Sequence, residues 1–251
     1  MLINATPSLY PRVTTDRITL DDGLQTSVYV ARYSRDTVRP KLVVFEKETR
    51  LPIWCRENGV TEALVGGFFL RAENKPLGEL WIDGIRQPSV AFAAPWNEKR
   101  GSLHITEDDL HIGYRHSLPF TPTGDMLQAG PLLVKDGLSL LTEANDDEGF
   151  SAAWHQFDSD ITDGRHPRAA IGINDEYIFS VVCEGRYATE AGMTLTEIAQ
   201  VMANLGCSHA LNLDGGGSAS LVSGGKLLNM PRGDGRDHPE GRPIFTAIIL
   251  D

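Results

Sequence analysis

The sequence predicts an α+β fold: a single domain with a mixed, largely antiparallel sheet and few helices. Three observations predict it. β-Branched, strand-like segments dominate the first half, one well-capped helix stands between two strand-like segments in the second, and 25 glycines with 14 prolines punctuate the chain with turns. No internal repeat or low-complexity linker divides the 251 residues, so 1–251 reads as one domain. A chain of this size buries roughly 70–75% of its unfolded surface and needs no covalent staple.

Taken in order, Thr26–Arg32 and Lys41–Phe45 alternate or run apolar with β-branched residues and read as part of a β-meander. Gly66-Gly67-Phe68-Phe69 follows at a strand end, where core packing is the expected role of the two phenylalanines. Between Ala91 and Gly130 the chain is richer in Trp, His, Pro and acid, with one hairpin over Leu103–Ile112 and loops elsewhere. Trp96 and Trp154 can stack on a sugar face or lie partly buried under a loop. The acidic run Glu143–Glu148 reads as a solvated turn.

A second hairpin is expected over His166–Arg186, with its turn at Asn174–Glu176. Next comes the helix. Thr194 and Glu197 form a capping box, Leu195, Ile198, Met202 and Leu205 share one face, and Gly206 closes the end. His209–Asp214 then reads as a strand, completing a strand–helix–strand unit with Tyr177–Cys183.

Composition narrows the function classes. With 41% apolar and 23% charged residues this is an ordinary globular chain, and its net charge of −11, without a Lys/Arg run longer than two, argues against a nucleic-acid partner. A phosphate in a pocket remains compatible, because a few arginines and backbone N–H groups create a local positive site. Cys55, Cys183 and Cys207 lie far apart without metal or disulfide spacing and read as reduced, buried thiols. The first residues lack the pattern of a secretory leader and no stretch approaches the length of a membrane span, so the expected location is cytoplasmic.

The segment Ala210–Val222, ALNLDGGGSASLV, carries the most chemistry. Strand alternation puts Leu211 and Leu213 on one face and Asn212 and Asp214 on the other, so a carboxylate arrives at the strand end beside Gly215, Gly216 and Gly217. A glycine triplet costs order on folding and is tolerated where backbone takes unusual dihedrals or approaches a ligand. Its N–H groups can form an anion nest, with the Ser218 hydroxyl beside them; a tight turn in which Asp214 caps its own backbone is the plain alternative. A Walker A loop is excluded because Ser218 and Ala219 follow the glycines with no Lys, and a nucleophile elbow by Ser220 where the second Gly is required.

In the second hairpin, antiparallel pairing brings Arg168 and Glu184 to the same end of two strands as diagonal neighbours, with Arg186 close behind. Arg can fork onto a phosphate while Glu moves a proton or orients the Arg; a surface ion pair is the alternative. The loop Asn229–Pro243 alternates Arg, Asp and Gly before a final apolar strand Ile244–Leu250. A calcium loop over Asp234, Asp237 and Glu240 lacks the EF-hand spacing, and His238 reads as a loop hydrogen-bonder. No cofactor or metal is expected, calcium being allowed but not supported by spacing.

Taken together, these segments resemble the phosphodiester glycosidase family. The order carries the resemblance: Gly66-Gly-Phe-Phe69, Gln128-Ala-Gly-Pro-Leu-Leu-Val-Lys-Asp-Gly137, Pro167-Arg-Ala-Ala-Ile-Gly172, the capped helix leading into Asn212-Leu-Asp-Gly-Gly-Gly-Ser218, and Arg242-Pro243 before the last strand. It spans about residues 24–251. One departure stands out, Val65 and Gly66 occupying a neighbourhood where the family often has Asn, which bears on substrate identity more than on reaction class.

The resemblance implies a hydrolase that cleaves the glycosidic bond of a sugar-1-phosphodiester, with a small-molecule or glycan substrate. On that basis Asp214 and Glu184 are the expected catalytic carboxylates. Arg168, Arg186, Asn212, Gly215, Gly216, Gly217, Ser218 and Arg242 are the expected substrate contacts. A phosphoesterase acting on the same substrates, and a non-catalytic saccharide-phosphate-binding protein of polysaccharide assembly, are the rival readings.

Overall fold

The computed structural model describes residues 11–141, 147–150, 164–233 and 235–251. Their strands form three main antiparallel sheets and two short ribbons, in place of the single mixed sheet expected. Two α-helices accompany them, so the architecture is largely β and the α+β expectation overstates the helix. The reason is long-range pairing. Gln25–Ser34 and Lys41–Arg50 are not meander neighbours: the first pairs with Tyr177–Cys183 and the second with Pro243–Ile249, in different sheets.

The seven-stranded sheet runs, edge to edge, Arg12–Thr19, Gln25–Ser34, Tyr177–Cys183, Arg168–Ile173, His209–Asn212, Leu132–Lys135 and Leu138–Ser139. Its first strand is charged and largely exposed, which suits an edge that must not recruit further strands. The inner strands Arg168–Ile173 and Tyr177–Cys183 are buried on both faces and accordingly apolar throughout most of their length. They form the expected hairpin, in which Asn174 Oδ1 accepts from the N–H groups of Glu176 and Tyr177 at 3.0 and 2.8 Å.

One face of this sheet is covered by the helix Leu195–Asn204, which has both halves of the capping box and ends before Gly206 at φ 81°. It buries Ile198, Ala199 and Met202 against Val28, Val30, Ala170 and Val181. Each such side chain contributes roughly 1.5–3 kcal/mol on burial. Close approach needs Gly172, since a Cβ there would lie 2.6 Å from both Met202 Cε and Cys207 Sγ. Cys55, Cys183 and Cys207 are buried free thiols, and burial pushes each up to about 12.

The opposite face carries the larger core, shared with the two five-stranded sheets. One of these runs Leu110–Tyr114, Gly101–Ile105, Asp125–Gln128, Leu80–Ile82, Ile85–Arg86 and contains the expected hairpin over 103–112. The other runs Lys226–Leu227, Leu221–Ser223, Ala63–Val65, Pro243–Ile249, Lys41–Arg50. A second helix, Leu51–Asn58, escaped the sequence reading: it is only two turns long, with Pro52 near its start and Gly59 at φ 70° ending it.

Two loop expectations change. Glu148 is not solvated: it is 4% exposed, and its carboxylate accepts from the Gly101 N–H at 2.7 Å and the Leu132 N–H at 2.5 Å. Two backbone donors at sheet ends outweigh hydration here. Residues 142–146 and Trp154 lie outside the described residues. Trp96 is half-buried, packed so close to Gly149 that a Cβ there would lie 2.2 Å from its ring. No helix among the described residues is long and apolar enough to cross a membrane.

Candidate active site

The strand His209–Asn212 sits third from one edge of the seven-stranded sheet, with Asn212 opposite Ala170. Pairing continues one residue further, the Leu213 N–H donating to Ala169 O at 2.9 Å. The chain then leaves this sheet. The Asp214 N–H donates at 3.0 Å to Gly66 O, which follows the strand Ala63–Val65 of a different sheet, and after the glycine turn the chain joins that sheet as Leu221–Ser223. Asp214 is therefore anchored where two sheets meet, half-buried, with Oδ2 inaccessible to solvent.

The glycine triplet is explained by a carbonyl and two arginines that pack against it. A Cβ on Gly215 would lie 2.8 Å from Pro167 O and 3.9 Å from Arg168 Cδ; on Gly216, 3.0–3.3 Å from the Arg186 guanidinium; on Gly217, 3.0 Å from Arg242 Nη1. Gly215 thus makes room for a backbone carbonyl, and Gly216 and Gly217 each for an arginine side chain. Gly216 also takes φ 56°, a region L side chains seldom adopt. The expected nest of three amides is only partly formed, because the Gly216 N–H turns inward to Pro167 O at 2.8 Å. A buried donor facing a carbonyl satisfies itself before any anion arrives.

Arg242 donates through Nη2 to Ser218 Oγ at 2.5 Å, and its guanidinium carbon lies 5.7 Å from the centre of the Phe69 ring. The two phenylalanines thus divide. Phe68 is buried edge-on against Phe92 and Phe150, as expected, whereas Phe69 is half-buried under Arg242 and packs on Phe245 at 5.4 Å. Ser218 is fully buried, so its hydroxyl serves Arg242. Arg186, exposed, donates from Nη1 to Arg232 O at 3.4 Å and points Nε and Nη2 at His166 Nδ1, 3.3 and 3.2 Å away.

Arg168 and Glu184 reach the same end of their strands but separate faces. Arg168 stands opposite Cys183 and, at 3% exposure, donates through Nε to Met193 O at 3.0 Å and through Nη2 to Gly164 O at 3.2 Å. Glu184, one residue beyond Cys183, turns the other way. Its Oε1 accepts from the Met230 N–H and its Oε2 from Arg232 Nη1, both at 2.8 Å. Burial lifts its carboxyl above the usual range, against the lowering effect of the Met230 N–H and the Arg232 charge. The arginine it orients is Arg232.

Asn212 does not face the turn. Its Nδ2 donates to Gly130 O at 2.9 Å, while the Gly130 N–H donates to Asn212 O and the Asn212 N–H to Pro131 O, fixing the strand before Asp214. The loop after Asn229 is held by Arg232, which pairs with Asp237 at 2.8 Å and lies over the Tyr187 ring at 4.8 Å. Asp237 is thus spent on Arg232, Glu240 is exposed, and Asp234 lies outside the described residues. No group of three His, Cys, Asp or Glu side chains suited to a metal occurs among the described residues. His238 bonds within its loop, to Gly233 O at 3.3 Å.

Sequence reasoning missed His166, Arg232 and Phe69 as parts of this site. Only Arg232 had a signal, an Arg in a polar loop rich in Asp and Gly.

This arrangement, an acid at a strand end before an arginine-walled glycine turn, defines the class. The phosphodiester glycosidase model matches residues 58–250, and the chain belongs to that family. Among relatives, the mouse N-acetylglucosamine-1-phosphodiester alpha-N-acetylglucosaminidase is 24% identical over 207 residues, covering 81% of this chain and 38% of its own length. The zebrafish enzyme of that name, solved as a catalytic domain auto-inhibited by its pro-peptide, superposes with a TM-score of 0.72 at 18% identity over 98% of this chain and 85% of that one. A hypothetical protein from Synechocystis gives 0.66 at 18% identity, covering 96% of this chain and 62% of that one. The chain spans well under half the length of the mouse relative.

Proposed function

We propose that this protein hydrolyses the glycosidic bond of a sugar-1-phosphodiester. One observation carries the reading: Asp214 leads directly into a turn in which Gly216 and Gly217 face the guanidinium groups of Arg186 and Arg242. That puts a carboxylate for the anomeric carbon beside cations for a phosphate. Membership of the phosphodiester glycosidase family supports it.

In the proposed reaction the C1–O bond breaks with its electron pair going to the phosphate oxygen, while a water oxygen becomes attached to C1 and loses a proton. Asp214 stabilises the oxocarbenium character at C1, as nucleophile or as base toward that water. The phosphodiester leaves as a phosphate monoester and gains negative charge, so it needs preorganised cations more than a strong acid. Arg186 and Arg242 supply them, Ser218 holds Arg242 in place, and Arg168 supports the turn from behind. Glu184 contributes through Arg232 and the loop it fastens, in preference to proton transfer.

The experiment is hydrolysis of a synthetic sugar-1-phosphodiester in oxygen-18 water. Label in the released sugar is the expected result. Label in the phosphate would instead mean P–O cleavage by a phosphoesterase, and binding without any product would leave a saccharide-phosphate-binding protein.

A further inference from the structure

We infer that His166 is the positioning residue for Arg186, holding its guanidinium against the glycine turn through a neutral imidazole. This rests on the phosphodiester reading above, in which Arg186 meets the substrate's phosphate.

The geometry assigns the tautomer. Both Nε and Nη2 of Arg186 point at His166 Nδ1, at 3.3 and 3.2 Å, and a guanidinium has only donors to offer. Nδ1 must therefore present its lone pair, and the ring proton sits on Nε2, which faces Gly164: a Cβ there would lie 3.8 Å from Nε2.

The imidazole is well placed to act as a fixed point. The His166 N–H donates to Met193 O at 3.1 Å and the Met193 N–H returns a bond to His166 O at 3.0 Å, with Gly192 leaving no space for a side chain behind. Pro167 follows, and its carbonyl accepts the Gly216 N–H. Two consecutive residues thus serve the same turn, Pro167 by holding its backbone and His166 by holding the cation above it. Arg186 is exposed, and its φ of 59° directs it away from the strand.

Among the described residues, the neighbouring arginines are engaged elsewhere. Arg165 pairs with Asp22 and Glu197, Arg168 donates to Gly164 and Met193 carbonyls, and Arg232 offers Arg186 only its carbonyl. Protonating His166 would place a donor and a positive charge against the Arg186 guanidinium. The pair therefore favours neutral His166.

Two measurements test this. The first is the His166 titration by NMR in the wild type and in Arg186→Met, which keeps the stem and drops the charge. Removing the guanidinium is expected to raise the His166 midpoint by about half a unit or more; an unchanged midpoint overturns the pairing.

The second is the affinity and turnover of the methyl phosphodiester of N-acetylglucosamine 1-phosphate. His166→Phe, which keeps a ring but removes the acceptor, is expected to lower kcat/KM about five- to tenfold. His166→Asn, which restores an acceptor, is expected to recover most of it. Wild-type turnover with undiminished binding by His166→Phe overturns the positioning role alone. Failure of the wild type to bind or cleave the diester overturns the functional reading and this role with it.

Discussion

Glu184 and Arg232 form a buried ion pair, Nη1 to Oε2 2.8 Å, with side chains only 7% and 14% exposed. The pair ties the end of the strand Tyr177–Cys183 to a loop 48 residues further on, and that loop packs so close to the glycine turn that a Cβ on Gly233 would lie 3.0 Å from Gly217 Cα. Both oxygens of the Glu184 carboxylate are engaged by this loop, one by the Met230 N–H and one by Arg232.

Its titration is a test. Burial raises the folded carboxyl above its ordinary value of 4.5, so the unfolded chain releases this proton first as pH rises. The stability that Glu184 contributes is therefore fully present below 4.5 and declines as pH climbs through the raised folded value. Glu184→Gln does not titrate. The melting temperature of the wild type minus that of Glu184→Gln should be smaller at pH 7 than at pH 4, and a difference that grows with pH would contradict the sign.

Gly216 and Gly224 make a matched pair, since both have φ 56° but only Gly216 faces Arg186. A Cβ at 224 meets nothing within 4 Å. Alanine at either position should cost about 1–2 kcal/mol from backbone strain alone. The extra crowding at 216 falls on the tip of a flexible side chain, so it should add little to that cost and appear instead as displaced Arg186. Gly216→Ala should then lower kcat/KM about tenfold, equivalent to about 1.4 kcal/mol, while Gly224→Ala leaves it unchanged. Equal kinetics in the two variants would show that Arg186 has no bearing on substrate.

Glu148 gives a prediction about stability alone. Its two oxygens accept from Gly101 and Leu132, which belong to different sheets, so one carboxylate joins them. In Glu148→Gln one acceptor becomes an NH₂ group and faces a backbone N–H, leaving a buried donor unsatisfied. The expected loss is about 1–3 kcal/mol, read as a midpoint shift in urea without change of slope.

These contacts mark where sequence reading reached and where it stopped. Local signals carried well: the Thr194–Glu197 capping box, the Asn174 turn and the helix stripe all act within a few residues, where backbone geometry alone decides. The glycine triplet was legible as a place of close approach. What approaches it was not, because Arg242, Arg186 and Pro167 arrive from distant segments. The same limit split the expected meander, since Lys41–Arg50 finds its partner at Pro243–Ile249, nearly the whole chain away. Alternation shows which face of a strand is buried, and not which strand lies beside it.

The remaining prediction concerns Asp214. Its backbone is fixed by the bond to Gly66 O and by the strand before it, so Asp214→Asn changes the charge of a half-buried group while leaving its shape and main-chain anchor in place. If the carboxylate meets the anomeric carbon, the loss should fall on kcat, by roughly 10²–10⁴, with KM and melting temperature close to wild type. A purely structural aspartate would behave otherwise: the Asn variant would melt lower and keep its turnover per folded molecule. Turnover measured beside the thermal transition of the same sample separates the two, and undiminished kcat in a stably folded variant would remove Asp214 from the chemistry.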